Sequence, residues 1–140
     1  MNHPESLPKL KKLLWKEFAR FIRVRDSSGE WFTCISCGKP QSVADGNFQA
    51  GHYFKSQLYA AIRYDERNVN GQCRRCNIFL EGNRQGYAEG LRKKYGQIAI
   101  DILDIKKNNR SKMGRWEYKA LIQEYQNKIN SYISGGKTTI

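Results

Sequence analysis

Four cysteines stand as Cys34-x2-Cys37 and Cys73-x2-Cys76, with 35 residues between the two pairs. Each CxxC turn can aim two thiolates at one point, and two such turns supply the four-sulfur tetrahedral shell that zinc favours. Gly38 behind Cys37 suits the tight turn. Arg74 and Arg75 inside the second pair are expected to lower the thiol pKa values and to offset a doubly negative zinc–tetrathiolate. Two disulfides are the competing reading. The opening MNHPESLPKLKK has no apolar signal-peptide core, so a cytoplasmic protein with reduced thiols is expected. A structural zinc ion on Cys34, Cys37, Cys73 and Cys76 bears on folding and leaves function open.

Between the pairs lies His52, in Gln49-Ala50-Gly51-His52-Tyr53, while Asn68 precedes Cys73 by five residues and Asn77 directly follows Cys76. An imidazole, with a pKa near ~6.5, can take a proton from water at neutral pH. An Asn carbonyl on its second ring nitrogen would fix the tautomer. A hard divalent ion needs few protein oxygens because it keeps several waters. Together these parts suit phosphodiester hydrolysis. Asn68 also reads as a turn residue, and Asn77 also reads as a helix N-cap.

The order CxxC, His, Asn, CxxC-Asn resembles the HNH endonucleases, whose ββα-metal site is often braced by a four-cysteine zinc. That resemblance implies His52 as general base, Asn68 as the residue that positions loop and base, and Asn77 as a ligand of a catalytic Mg²⁺ or Mn²⁺. A closer likeness runs over roughly residues 10–96. Ile22-Arg23-Val24-Arg25-Asp26, Cys34-Ile35-Ser36-Cys37-Gly38, Gln49 to Tyr53, Asn68, Gln72 to Asn77 and Gly82-Asn83 are similar to the phage NinG (Rap) recombination proteins. This likeness implies a phage or prophage protein in a bacterial host, acting on branched DNA such as a Holliday junction. One position departs from the HNH pattern. Many members carry Asp or His immediately before the base, where this chain has Gly51. Glu81, four residues after Asn77 and so on the same face of a helix, is the candidate substitute, with Asp65 as another. Alternatively His52 itself binds the metal and another group is the base.

These residues must be held by surrounding elements. A helix is expected over 7–26, capped by Ser6 with Pro8 in its first turn. Its apolar stripe is Leu7, Leu10, Leu14, Phe18, Phe21 and Ile22, with Lys9, Lys11, Lys12, Lys16 and Arg20 mostly off it. Trp31–Ile35 and Phe48–Phe54 read as strands. Residues 63–70 read as irregular, and a short helix from Cys76 or Asn77 should stop at Gly82. Three C-terminal helices follow. The first carries Tyr87, Leu91 and Tyr95 and ends at Gly96. The second carries Ile98, Ile102 and Ile105, and the third runs from Trp116 to Ile133. Residues 135–140 read as a disordered tail, and His3 belongs to the N-terminal segment. The expected fold is a single α+β domain: a zinc-stapled ββα-metal core over 31–83, flanked by the N-terminal helix and by C-terminal helices over 84–134.

The charge points to the partner. The 140 residues include 25 Lys+Arg and 13 Asp+Glu, a net charge of +12, and 39% are hydrophobic. That composition can bury a core, and no apolar run approaches the ~18–20 residues of a membrane span. A polyanion is the expected partner, with nucleic acid the common one. Residues 1–33 carry 7 basic and 4 acidic groups (+3), residues 34–83 carry 6 and 4 (+2), and residues 84–140 carry 12 and 5 (+7). Arg63, Arg67, Arg74 and Arg75 crowd the site, and Arg92-Lys93-Lys94 lie on a later helix. All are candidates for DNA-backbone contacts that do not read sequence. Tyr53, Phe54 and Tyr59 suit either DNA contact or core. A homodimer would match a two-strand junction. The sequence therefore predicts a structure-directed DNA endonuclease. Its rivals are a non-catalytic zinc-ribbon DNA-binding protein and a zinc-stabilised adaptor.

Overall fold

The computed structural model describes residues 5–138. His3 and the last two residues of the expected tail, Thr139 and Ile140, lie outside them.

Helix α1 spans Leu7–Asp26. Ser6 Oγ accepts the Lys9 amide at 3.4 Å, and Pro8 sits in the first turn, where a missing N–H costs nothing. Leu10, Leu14, Phe18, Phe21 and Ile22 are buried along one side. Against them lies α4 (Arg115–Ser134), through Tyr118, Ile122, Tyr125 and Ile129. The Phe18 and Tyr125 rings meet edge-on at 4.8 Å, the arrangement their quadrupoles favour. Trp116, expected on this stripe, is exposed.

Strands β1 (Ser27–Ser28), β2 (Trp31–Thr33) and β3 (Pro40–Ser42) form a small antiparallel sheet in that order. Strands β4 (Phe48–His52) and β5 (Val69–Cys73) form a separate antiparallel pair, in register from Phe48 opposite Cys73 to His52 opposite Val69. Strand β5 begins inside the segment expected to be irregular. All five of its residues are buried, yet Val-Asn-Gly-Gln-Cys has no apolar alternation to betray a strand.

Side chains alternate across a strand, so the pair has two unlike faces. Ala50 and Val69 join the α1–α4 core. On the opposite face, Gln72 Nε2 donates to Ser36 Oγ at 2.8 Å and to the Gly82 carbonyl at 2.6 Å. There Asn70 Nδ2 donates to Tyr87 Oη at 3.2 Å, and Asn77 Nδ2 to Gln49 Oε1 at 2.7 Å. One face is closed by hydrocarbon, the other by amides.

Helix α2 (Arg84–Tyr95) rests directly on the first cysteine turn. A Cβ at Gly86 would stand 2.2 Å from the Ser36 carbonyl, and one at Gly90 would stand 1.9 Å from the Ile35 carbonyl. A helix-interior glycine costs about 1 kcal/mol against alanine, and here that cost permits the close approach. Helix α3 (Gln97–Lys106) buries Ala99, Ile100 and Leu103. Ile98 and Ile105, expected to face inward, are exposed. The inward face is set by Leu103 packing on Phe54 and Ile62.

The expected disordered tail is corrected over 135–138. Lys137 turns back so that its ammonium donates to the carbonyls of Arg25 (3.3 Å) and Ser27, a cation at the end of α1 where the helix dipole favours one. Among the described residues no helix is long and apolar enough to cross a membrane.

Candidate functional site

The four cysteine sulfurs lie within 4.8 Å of one another, and among the described residues no other trio of His, Cys, Asp or Glu converges in this way. The Gly38 amide donates to the Cys34 carbonyl at 2.9 Å, closing the first turn. Cys34, Cys73 and Cys76 are buried, under Phe32 and Phe48 rings stacked at 4.0 Å. Three N–H groups point at sulfur: the Cys73 amide at Cys34 (3.3 Å), Asn83 Nδ2 at Cys76 (3.4 Å) and Gln41 Nε2 at Cys37 (3.7 Å). Burial pushes the Cys34 thiol up to about 12 and raises Cys76 as well. Burial opposes ionisation of Cys37 too, but the Lys39 amide and the neighbouring thiols outweigh it and hold Cys37 low. Four sulfurs at this spacing, with N–H donors that favour thiolates, fit a metal ion. Arg74 and Arg75 do not have the expected part in this. Both are exposed, and the Arg74 guanidinium lies 5.9 Å over the Phe79 ring. Amides take their place.

His52 ends β4 on the α1 side of the pair. Its ring stacks on Trp15 at 5.0 Å, and Nε2 lies 2.9 Å from the Arg63 carbonyl. A carbonyl only accepts, so Nε2 carries the proton and Nδ1 keeps its lone pair. Burial, followed by the nearby Arg63 charge, lowers the His52 pKa below 6.5 against the pull of that hydrogen bond. The ring lines a cavity of about 400 Å³ with Lys11, Lys12, Trp15, Ser56, Arg63 and Tyr64. Arg63 Nη2 donates to the Ser56 carbonyl at 3.0 Å, while Arg63 Nε is buried with no hydrogen-bond partner among the described residues.

Asn68 is fully buried but makes no bond to the imidazole. Its Oδ1 accepts the Phe54 amide at 2.9 Å, and its Nδ2 donates to the carbonyls of Phe54 and Ile62, both at 3.1 Å. It pins the loop that carries Arg63, so the ring is oriented by Arg63 and Asn68 acts one step behind it. Tyr87 is a second buried anchor, its hydroxyl donating to the Gly51 carbonyl at 2.7 Å.

Asn77 lies in a π-helical turn, Arg75–Phe79. Glu81 falls beyond that turn, exposed and at φ +51°, so the expected shared helix face does not form. Gly51 is spatially required: a Cβ there would meet Gln72 Oε1 at 1.9 Å and Asn77 Oδ1 at 3.0 Å. Asp65 is engaged by Arg67, whose amide donates to its Oδ1 at 3.0 Å. Among the described residues no cluster of three His, Cys, Asp or Glu ligands includes Glu81 or Asp65, and Asn77 contributes an amide oxygen beside Gly51. Lys94 turns inward, its ammonium 2.8 Å from Asp26 Oδ1 and 2.7 Å from Asn70 Oδ1. Arg92 pairs with Glu89, and Lys93 is exposed. Tyr53 packs on Tyr87 at 5.3 Å, Phe54 is buried, and the two belong to the core. Nothing in the sequence sets Lys11, Lys12 and Trp15 apart as site residues. They lie about forty residues from His52 in the chain, and only the crossing of α1 over β4 brings them near.

The family model described as Bacteriophage Lambda NinG protein matches residues 5–133. Protein ninG of Escherichia phage lambda is 36% identical over 112 residues, 78% of this chain and 50% of that protein. Protein ninG of Salmonella phage P22 is likewise 36% identical over 112 residues, with 78% and 50% covered. That of Escherichia phage 933W is 35% identical over 112 residues, with 78% and 51% covered. The chain therefore spans about half the length of these relatives. No solved structure matches it. On the family match and these identities, the chain belongs to the NinG family.

Proposed function

We propose that this chain is a divalent-metal-dependent DNA endonuclease of the HNH type, acting on branched DNA in phage recombination, with zinc as the ion of its cysteine cluster. The observation that carries the reading is the His52 cavity. A neutral imidazole, its tautomer set by the Arg63 carbonyl, faces a space lined by Lys11, Lys12 and Arg63. The unpartnered Arg63 N–H suits a phosphate oxygen. The order of elements gives further support: β4 ending in His52, then β5, then a helical turn bearing Asn77. His52 Nδ1 takes the proton of the attacking water, and Lys11, Lys12 and Arg63 hold the phosphate. When bound, a Mg²⁺-class ion would supply charge stabilisation on the leaving oxygen. Asn77 and Glu81 are its candidate protein ligands: Asn77 is bonded to Gln49 on the opposite face of the pair and does not line the His52 cavity, so it would meet an ion only at the strand end beside Gly51. Exposed Lys93, Arg74 and Arg75 extend the backbone grip, and a homodimer would present two such sites to a junction.

Incubating junction, fork and linear duplex DNA with Mg²⁺ or Mn²⁺ tests this. Wild type should cut, and His52→Ala should lose roughly 10²–10⁴-fold in rate, the worth of a general base, while still binding. Cleavage needs the neutral ring, so with the pKa lowered its plateau should extend below pH 6.5. Equal cutting by His52→Ala would remove that residue as base.

A second reading is favoured by Gly51. Its space is filled by Gln72 and Asn77, which leaves no room for a second side-chain ligand. On this reading the chain is a zinc-dependent protein that binds branched DNA without cutting it. Binding by wild type with no cleavage in any divalent metal would select it.

A further inference from the structure

Ile78, Phe79 and Leu80 are three successive large apolar residues with 50%, 71% and 45% of their surface exposed. Successive residues on a helical turn point about 100° apart, so a turn lying on the protein would bury at least one of them. In this turn none of the three is buried, and Phe79 is the most exposed. Its base carries Cys73 and Cys76 of the converging cysteine cluster. The Leu80 amide donates to the Arg75 carbonyl at 2.8 Å, and the Gly82 amide to the Cys76 carbonyl at 2.8 Å. Glu81, Gly82 and Asn83 follow with φ of +51°, +97° and +40°. Glu81 and Asn83 hold a left-handed backbone that L-residues resist, and such conformations persist where their surroundings enforce them, often at functional sites. The result is an exposed apolar tip on a hydrogen-bonded turn. Arg74 and Arg75 are exposed at its root, with Glu81 as the neighbouring acid. On the same turn Asn77 reaches toward Gly51, the residue before His52.

We infer that Ile78–Leu80 is a wedge that enters DNA at a branch point, with Phe79 stacking on a base and Arg74 and Arg75 on the flanking phosphates. This rests on the DNA-binding part of the proposed function and not on its cleavage chemistry. Apolar side chains inserted between bases must unstack them. That is easiest where the stack is already interrupted, so the wedge favours a branch over a continuous duplex. An aromatic tip accepts any base, in keeping with a charge distribution suited to gripping backbone without reading sequence.

The test uses the full chain, without added Mg²⁺, on four-way junctions and forks carrying 2-aminopurine at the branch. Wild type should brighten the probe. Phe79→Ala should abolish the brightening and lower the junction-over-duplex affinity ratio about ten-fold, the size of one base–aromatic stack. Duplex affinity and metal content should stay unchanged, Phe79→Trp should retain the effect, and Leu80→Ser should weaken it. Wild-type brightening and selectivity in Phe79→Ala would overturn the wedge. A change from dimer to monomer in DNA-free Phe79→Ala, with junction selectivity intact, would overturn it too and make the tip a self-association surface. Probe brightening by wild type that never cuts DNA in Mg²⁺ or Mn²⁺ would support the wedge and remove the nuclease reading.

Discussion

The two faces of the β4–β5 pair solve the same burial problem by different means. Toward α1, Ala50 and Val69 add to an apolar core with Phe18, Ile22 and Tyr125. Toward α2, buried Asn70 and Gln72 hydrogen-bond to Tyr87, Ser36 and Gly82. Hydrocarbon packing is non-directional and degrades gradually as atoms are removed. A buried amide network is directional, and a broken member leaves unpaired groups at full desolvation cost. The apolar face therefore holds the strands together, whereas the amide face fixes where Gly51, Asn77 and the end of β4 stand.

The sharpest way to break this contrast is Asp26→Ala. Asp26, with a side chain 10% exposed, accepts from Arg25, Lys94 and the Gly71 amide, joining α1, β5 and α2. Removing it leaves Arg25 and Lys94 with neutral hydrogen-bond partners only and no counter-charge, and should cost about 4 kcal/mol in urea unfolding. Burial alone would raise the Asp26 pKa, but Arg25 and Lys94 prevail and hold it below 3.8. A depressed carboxyl stabilises above its unfolded pKa, and that stability is lost as the pH falls through the folded value. Asp26→Ala should accordingly flatten the acid limb of the stability profile. Next is Gly51→Ala, whose methyl would displace a Gln72 side chain held by two hydrogen bonds, at about 3 kcal/mol. It should also perturb Asn77 more than His52, which chemical shifts of the two side chains can show. The smallest effect belongs to the apolar face. Val69→Ala should cost about 2 kcal/mol for two buried methyls and a residual cavity, with DNA affinity unchanged. If Val69→Ala cost more than Gly51→Ala, the ranking of the faces would be reversed.

Much of this architecture is legible in the residue pattern. The stripe and Ser6 cap announce α1, Gly96 announces the end of α2, and the paired CxxC turns announce the convergence of the four cysteines. Strand β5 was not legible, because a strand buried against amides loses the apolar alternation that marks one. Helix α3 carries isoleucines on two sides, so spacing alone chose the wrong face. For the candidate site, His52 and Asn68 were proposed from their order relative to the cysteines. Their partners were not: the bond that orients His52 comes from the backbone of Arg63, and a backbone carbonyl leaves no signature in a residue pattern. Lys11 and Lys12 read as ordinary solvated lysines in the sequence, and the packing of α1 across β4 brings them to His52.

Gly86 and Gly90 have a further consequence. Four residues apart, they lie on one line of α2, each seated over a carbonyl of the first cysteine turn. Sliding α2 by one residue would bring Tyr87 and Leu91 onto those carbonyls. Two missing methyl groups thus act as a vernier, indexing a weakly amphipathic helix against the chain. Through the Tyr87 hydroxyl on the Gly51 carbonyl, that alignment reaches the strand end where His52 sits. The placement of that strand end is then linked, through one hydroxyl, to two glycines that let α2 sit against the first cysteine turn.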